Sequence, residues 1–204
     1  MPDPAPTPAP APAPAPAYIV DTKIKERPLV FVDLEFTGLE AEHEILQIGA
    51  VKVTQPTFTV VGEWQTKVKP EHIKNGNAQT LAMVGYTEEL WKDALPLKDA
   101  LIRFNTFADG AVLVGYNVTG DFYQLKKSYA HVGLEPSYHW QVLDVLSMIF
   151  AELYKSNMEG FRMVEVVRYF KLKEQHWHDA LVDARATYDI FMKLMSEVDH
   201  NHDR

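Results

Sequence analysis

The stretch LVFVDLE, residues 29–35, narrows the folds open to this chain more than any other. Large apolar residues without alternation read as a strand covered on both faces, and so as the centre of a sheet. The run nevertheless closes on two carboxylates. Asp33 and Glu35 are two apart, so on a strand they share one face while Leu34 takes the other. Burying both without a counter-charge drives at least one to protonate, because desolvation and like charge each raise a carboxyl pKa. A hard divalent cation removes the conflict: Mg²⁺ or Mn²⁺ prefers carboxylate and water oxygens and takes few protein ligands. An edge strand alternating in and out of solvent would account for the pair without a metal, but the LVFV run argues against an edge.

Around this strand the pattern is α/β. EILQIGAVKV (44–53) and TFTVVGEWQTKVKP (57–70) read as two further strands, with the short TQP connection suited to a hairpin turn. From Asn77 to Asp109 the pattern is helical, punctuated by GYT (85–87) and Pro96. AVLVG (111–115) is a buried strand, and the next segment offers Thr119 as N-cap and Gly133 as stop for a helix with Asp121 in its first turn. A short strand near Trp140–Leu143, a helix through Tyr154 and two amphipathic helices complete the chain. In the last helix Leu181, Ala184, Tyr188, Phe191, Met192 and Met195 form the apolar face. The expectation is a mixed sheet with helices on its faces.

With 204 residues and 47% hydrophobic content the chain suits one well-buried domain, expected over residues 28–198 with a polar tail at 199–204. Residues 1–27 are expected to be a linker or tail. Within it, PDPAPTPAPAPAPAPA (2–17) can build neither helix nor sheet; as polyproline II it would span roughly 50 Å. A spacer implies a partner at its far end, although a plain disordered tail explains it equally well. The formal net charge of −8 argues against a protein that wraps long duplexes. There is no cysteine, which excludes disulfides, thiolate zinc sites and cysteine nucleophiles. No apolar stretch is long enough to span a membrane and no secretory signal pattern is present, so cytoplasmic residence is expected.

Two further acidic positions add to the first pair. Asp121 follows a buried strand at a helix start, the crevice where α/β sheets place ligands, although it would also serve the helix dipole. HDALVDA supplies His178 and Asp183. Five residues on a regular helix turn the two side chains about 140° apart. Asp179 as N-cap resolves this by leaving His178 in the preceding loop and Asp183 just inside the helix. A zinc pair of His176 and His178 lacks a suitable third ligand.

A strand D-x-E, then N-x-x-x-D, then H-x-x-x-x-D opening a last helix, carried by FVDLEFTGL, VGYNVTGDFYQL and HDALVDA, resembles the DEDDh group of DnaQ-like 3′→5′ exonucleases over residues 28–195. The resemblance implies an RNase H-like fold, a mixed five-stranded sheet flanked by helices. It implies Asp33, Glu35, Asp121 and Asp183 as ligands of two divalent ions, Mg²⁺ with Mn²⁺ as substitute, and His178 as general base; histidine's reference pKa of about 6.5 suits that role. The implied reaction is two-metal hydrolysis of single-stranded 3′ ends, DNA favoured, to nucleoside 5′-monophosphates. Phe36, Thr37, Gly38 and Leu39 would meet the terminal nucleotide, with Phe36 either stacking on a base or packing in the core, and Asn117 would shape the site. Arg162, Arg168, Lys171 and Lys173 form a basic stretch that reads as a solvated face or as a grip on phosphates. The alternatives are an RNA or short-oligoribonucleotide trimming enzyme, and a non-catalytic nucleic-acid-binding adaptor. A partner joined through the Pro/Ala arm would be a polymerase or another nucleic-acid enzyme, such as a CRISPR adaptation protein.

Overall fold

A computed structural model describes residues 23–40, 42–173 and 177–202, the last six by backbone alone. The Pro/Ala arm and His176 lie outside the described residues. LVFVDLEF forms β1 (Leu29–Phe36), flanked on one side by β2 (Ile45–Val53) and β3 (Val60–Lys67) and on the other by β4 (Val112–Gly115) and β5 (Val142–Asp144). The order β3-β2-β1-β4-β5 makes β1 central, as its apolar run requires. β2 is antiparallel to β1 and β3 to β2, whereas β4 and β5 run parallel to β1.

The helices are α1 (Ala78–Val84), α2 (Leu97–Ala108), α3 (Thr119–His131), α4 (Val145–Leu153), α5 (Met163–Tyr169) and α6 (Ala180–His202). They divide between the two faces of the sheet. Val30, Val32 and Leu34 point into a core closed by Leu101 and Phe104 of α2 and Leu125 and Tyr129 of α3. Leu29 and Phe31 point the other way, onto Ile149 of α4, Val166 and Val167 of α5, and Ala184, Ile190 and Phe191 of α6. Phe31 sits edge-on to Tyr188 and Phe191, each with ring centroids 5.3 Å away; such pairs add about 0.5–1.5 kcal/mol beyond area burial. The odd-numbered face of β1 is therefore the one that carries both α6 and, further along, Asp33 and Glu35.

Three local expectations shift. The connection between β2 and β3 covers residues 54–59 rather than a tight TQP turn, and Phe58 within it stands at φ +51°. Thr119 is the first helical residue of α3, and Val118 is the cap. The Asp144 carboxylate takes the N–H groups of Asn117 and Val118 from outside the helix, which fixes the chain one residue earlier than a threonine cap would. The short fifth strand begins at Val142, two residues after Trp140, which is half exposed. Packed structure also reaches upstream of Pro28: Ile24 packs on the α6-side core, and the Gln55 amide donates to the carbonyls of Ile24 and Arg27.

Candidate active site

β4 ends at Gly115, so β1 beyond Val32 has no strand on that side. Leu34 is left with a backbone N–H in the gap. Asp121, in the first turn of α3, fills it by accepting that N–H at 3.1 Å through Oδ1. The third carboxylate is thus tied directly to the strand that carries the first two. Asp33 and Glu35 lie on the α6 face of β1, where Leu29 and Phe31 begin the packing. α6 starts at Ala180 with Asp179 as its cap, the Asp179 Oδ1 accepting the N–H groups of Leu181 and Val182 at 3.2 Å each. His178 stands outside the helix at φ +67°, and its backbone N–H is held by Asp183 Oδ2 at 3.0 Å. This kink resolves the angular mismatch of a five-residue spacing.

Four carboxylates from three elements and one histidine consequently converge at the C-terminal end of the central strand. Ligand atoms of Glu35, His178 and Asp183 lie within 4.8 Å of one another. Glu35, Asp121 and Asp183 are buried, Asp33 is partly exposed and His178 is exposed. Burial first, and then the charges of Asp183, Asp121 and Asp179, push the Glu35 carboxyl up to about 8. Burial raises Asp121 to about 7 against the lowering effect of its bond from Leu34, and Asp183 to about 6 against its bond from His178. Although its residue surface is partly exposed, the Asp33 carboxyl is desolvated by the surrounding protein, and this, followed by the charges of Asp121, Asp183, Glu35 and Asp179, pushes it well above the usual carboxylate range. Among the described residues the buried Oδ1 of Asp183 has no hydrogen-bond partner. An orphaned hard oxygen donor inside a mutually repelling set of carboxylates fits a divalent cation, which would supply the missing partner and the counter-charge together.

Beside this centre, Phe36, Gly38, Leu39, Gly120, Tyr123 and Gln124 line a cleft of about 370 Å³. Leu39 is 88% exposed, whereas Phe36 is half buried and packs on the α2–α3 core as well as lining the cleft. Thr37 is buried and faces inward: its hydroxyl accepts the Glu44 N–H at 2.9 Å and its carbonyl accepts that of Asn77. Gly38 is pressed against the His43 ring, 2.5 Å from where a Cβ would stand. Asn117 is exposed at φ +58°, a conformation asparagine tolerates well, on the turn that Asp144 holds. Gly120, Tyr123 and Gln124 are the cleft residues that are not among the candidates; Tyr123, 58% exposed, is an ordinary helix residue two positions after Asp121 until α3 is docked. Of the basic stretch, Arg162 is paired with Glu165 through two bonds, on the α5 side.

The RNase T family model, described as an exonuclease, matches residues 30–191. The chain is 33% identical over 174 residues to the PolC-type DNA polymerase III of Caldanaerobacter subterraneus subsp. tengcongensis, covering 85% of this chain and 12% of that polymerase. The PolC-type enzyme of Lactococcus lactis subsp. lactis is 29% identical over 179 residues, covering 87% of this chain and 10% of its own length. The chain therefore spans about a tenth of the polymerases it matches. Among solved structures, exonuclease I superposes with a TM-score of 0.72 at 18% identity, over 84% of this chain and 41% of that one. The E. coli exonuclease I complex with a dT13 oligonucleotide gives 0.70 at 18% identity, over 83% and 40%.

Proposed function

The chain belongs to the RNase T family of exonucleases, and from that membership we propose that it removes nucleotides one at a time from single-stranded 3′ ends, DNA in preference to RNA, leaving nucleoside 5′-monophosphates. The observation that carries this reading is the convergence of Glu35, His178 and Asp183 within 4.8 Å beside Asp33 and Asp121. Asp33, Glu35, Asp121 and Asp183 would hold two divalent cations, Mg²⁺ or Mn²⁺, which when bound supply the positive charge that polarises a phosphoryl group and acidifies a water.

The chain's own residues do the rest. His178 has a ring nitrogen facing the carboxylates and an exposed side chain, so it takes the proton of the attacking water and can pass it to solvent. Asp183 holds the histidine's backbone while contributing its carboxylate, so base and ligand move together. The cleft lined by Phe36, Leu39 and Tyr123 receives the terminal nucleotide, with Gly38 keeping the loop close and Thr37 bracing it from behind. Stacking on an aromatic ring contributes roughly 1–3 kcal/mol per base. Asn117 shapes the turn ahead of Asp121. A protein of net charge −8 can work in this way because it grips only the last few nucleotides.

The likeness to polymerases roughly seven to nine times the length of this chain supports a proofreading or end-trimming module working beside a polymerase, with the Pro/Ala arm as tether. A time course on 5′-labelled single-stranded DNA and RNA of equal sequence, with Mg²⁺, Mn²⁺ or chelator, tests the reading. The expected result is a metal-dependent ladder shortening from the 3′ end, faster on DNA. Faster loss of RNA would reassign the substrate, and intact strands in every lane with folded protein would overturn the enzyme reading in favour of an adaptor.

A further inference from the structure

We propose that Gln47 and Gly49 of β2 are positioning residues of this site: together they seat the first turn of α6 and so hold Asp183 and His178 at their distance from Asp33 and Glu35. The inference rests on the exonuclease reading for its consequence, though not for its geometry. Half of the acidic centre comes from β1 and the other half from a helix that begins more than 140 positions later, and a catalytic constellation needs its parts held within about 0.5 Å. The apolar face of α6 fixes which side meets the sheet. It is a weaker restraint on the height of the first turn, since side-chain packing tolerates small slides.

Gln47 and Gly49 supply that restraint. In the β1–β2 ladder Asp33 pairs with Gly49 and Glu35 with Gln47, so both β2 residues share the carboxylates' face one strand over. A Cβ at Gly49 would lie 2.1 Å from the Ala180 carbonyl carbon and the Leu181 nitrogen, and 2.3 Å from the Ala180 oxygen. The helix backbone therefore rests directly on the strand. A glycine in mid-strand weakens a sheet, and close approach of another backbone is what compensates. Gln47, 5% exposed, points its Oε1 at the Ala180 N–H, which it accepts at 3.1 Å. That N–H is one of the first-turn donors that no helix can satisfy internally. Gln65 of β3, which pairs with Gly49, donates from Nε2 to Asp179 Oδ1 at 2.9 Å, so the cap is fastened from the next strand too.

The chemistry of position 47 is restrictive. A carboxylate there would add a further negative charge opposite Glu35, and an apolar side chain would leave the Ala180 N–H buried and unpaired. Glutamine, a neutral acceptor of the right length, satisfies both demands. Any shift of the turn carries His178 and Asp183 with it, because Asp183 donates its N–H to the Asp179 carbonyl and accepts that of His178.

The test compares wild type, Gly49→Ala, Gln47→Met and, as a control of similar destabilisation, Ile190→Val, a core residue further along α6. Each is measured for thermal unfolding, for Mn²⁺ affinity of the metal-free protein, and for kcat and KM on a single-stranded oligodeoxynucleotide. Displacement by about 1 Å can reduce turnover roughly 100-fold. Both β2 variants should therefore fold, lose about 10- to 100-fold in kcat with KM nearly unchanged, and bind Mn²⁺ several-fold more weakly, while Ile190→Val matches wild type in both respects. Wild-type kcat and Mn²⁺ affinity in the β2 variants would overturn the proposal, as would an equal loss in Ile190→Val, which would mark a general effect of stability. If Gly49→Ala does not fold, Gln47→Met decides, since it adds no atom against the helix backbone. A wild type that hydrolyses nothing overturns the exonuclease reading instead, and the Mn²⁺ affinities still score the seat.

Discussion

Asp183 carries the clearest conflict of any single residue in the site. One of its oxygens fastens the His178 backbone while the other is buried with no partner among the described residues. Replacing it by asparagine keeps the shape and removes the charge. Asp183→Asn should lower hydrolysis by about 10³-fold or more, on the view that a ligand carboxylate underlies several kcal/mol of transition-state stabilisation. The metal-free variant should unfold at the wild-type temperature or above, because a like charge has gone. Wild-type turnover in single-turnover assays would remove Asp183 from the site. His178 tests the neighbouring role. His178→Ala should slow hydrolysis by about 10²–10⁴-fold while Mn²⁺ binding, followed by calorimetry, stays close to wild type. Loss of metal affinity instead would make His178 a ligand. His178→Gly should be equally slow yet more stable than the alanine variant by about 1 kcal/mol in urea unfolding, since φ +67° disfavours any residue with a Cβ.

Among the elements, β5 has an importance out of proportion to its three residues. Its last residue, Asp144, accepts the Asn117 N–H at 2.8 Å through Oδ1 and the Ser147 hydroxyl at 2.6 Å through Oδ2, joining the turn before α3 to the start of α4. Both donors are exposed and water can replace the lost acceptor, so Asp144→Ala should cost only the net worth of the bonds, about 0.5–1.5 kcal/mol. Because Asp121 lies just beyond that turn, kcat should fall as well, by about tenfold, whereas thermal melts alone would report only the stability loss. The Glu63–Arg185 pair between β3 and α6 makes an instructive contrast. Both side chains are more than a third exposed, so Glu63→Ala should change unfolding free energy by no more than about 1 kcal/mol.

For the whole molecule the acidic centre sets how stability responds to pH and to metal. Glu35, Asp121 and Asp183 are raised to about 8, 7 and 6, above the ordinary carboxylate range near 4. The folded protein therefore holds these protons more tightly than the unfolded chain does. Stability from this source is fully present below about pH 4 and is lost as pH rises from there through about 8. The metal-free domain should accordingly melt at progressively lower temperature between pH 5 and pH 8, by several degrees. On the two-cation reading Mn²⁺ or Mg²⁺ would bind the deprotonated set, so the melting-point gain on adding either ion should grow over the same range. A metal-induced gain that is flat with pH would show that the ions bind elsewhere.

How much of this could be read without coordinates depended on the range of each interaction. The sequence determined the central strand, because LVFV has no polar face to give to solvent, and it determined the order of helices and strands through apolar periodicity. It also marked Asp33, Glu35, Asp121, His178 and Asp183 as candidates, since three short motifs in that order resemble the DEDDh group, and it placed Asp179 as the cap that frees His178 from the helix. What it left open required elements to meet. Whether Phe36 packs or faces the cleft is not written in its neighbours: it does both, packed against the buried core on the α2–α3 side and lining the cleft. Thr37 turns inward because Glu44 and Asn77 are there to meet it. Val118 displaces Thr119 as cap through a carboxylate on another strand. Tyr123, Gln47 and Gly49 looked like ordinary residues until α3 and α6 were docked on the sheet. Local patterning sets what a segment can become, but a contact between residues 133 positions apart, such as Gln47 with Ala180, exists only once the chain has closed upon itself.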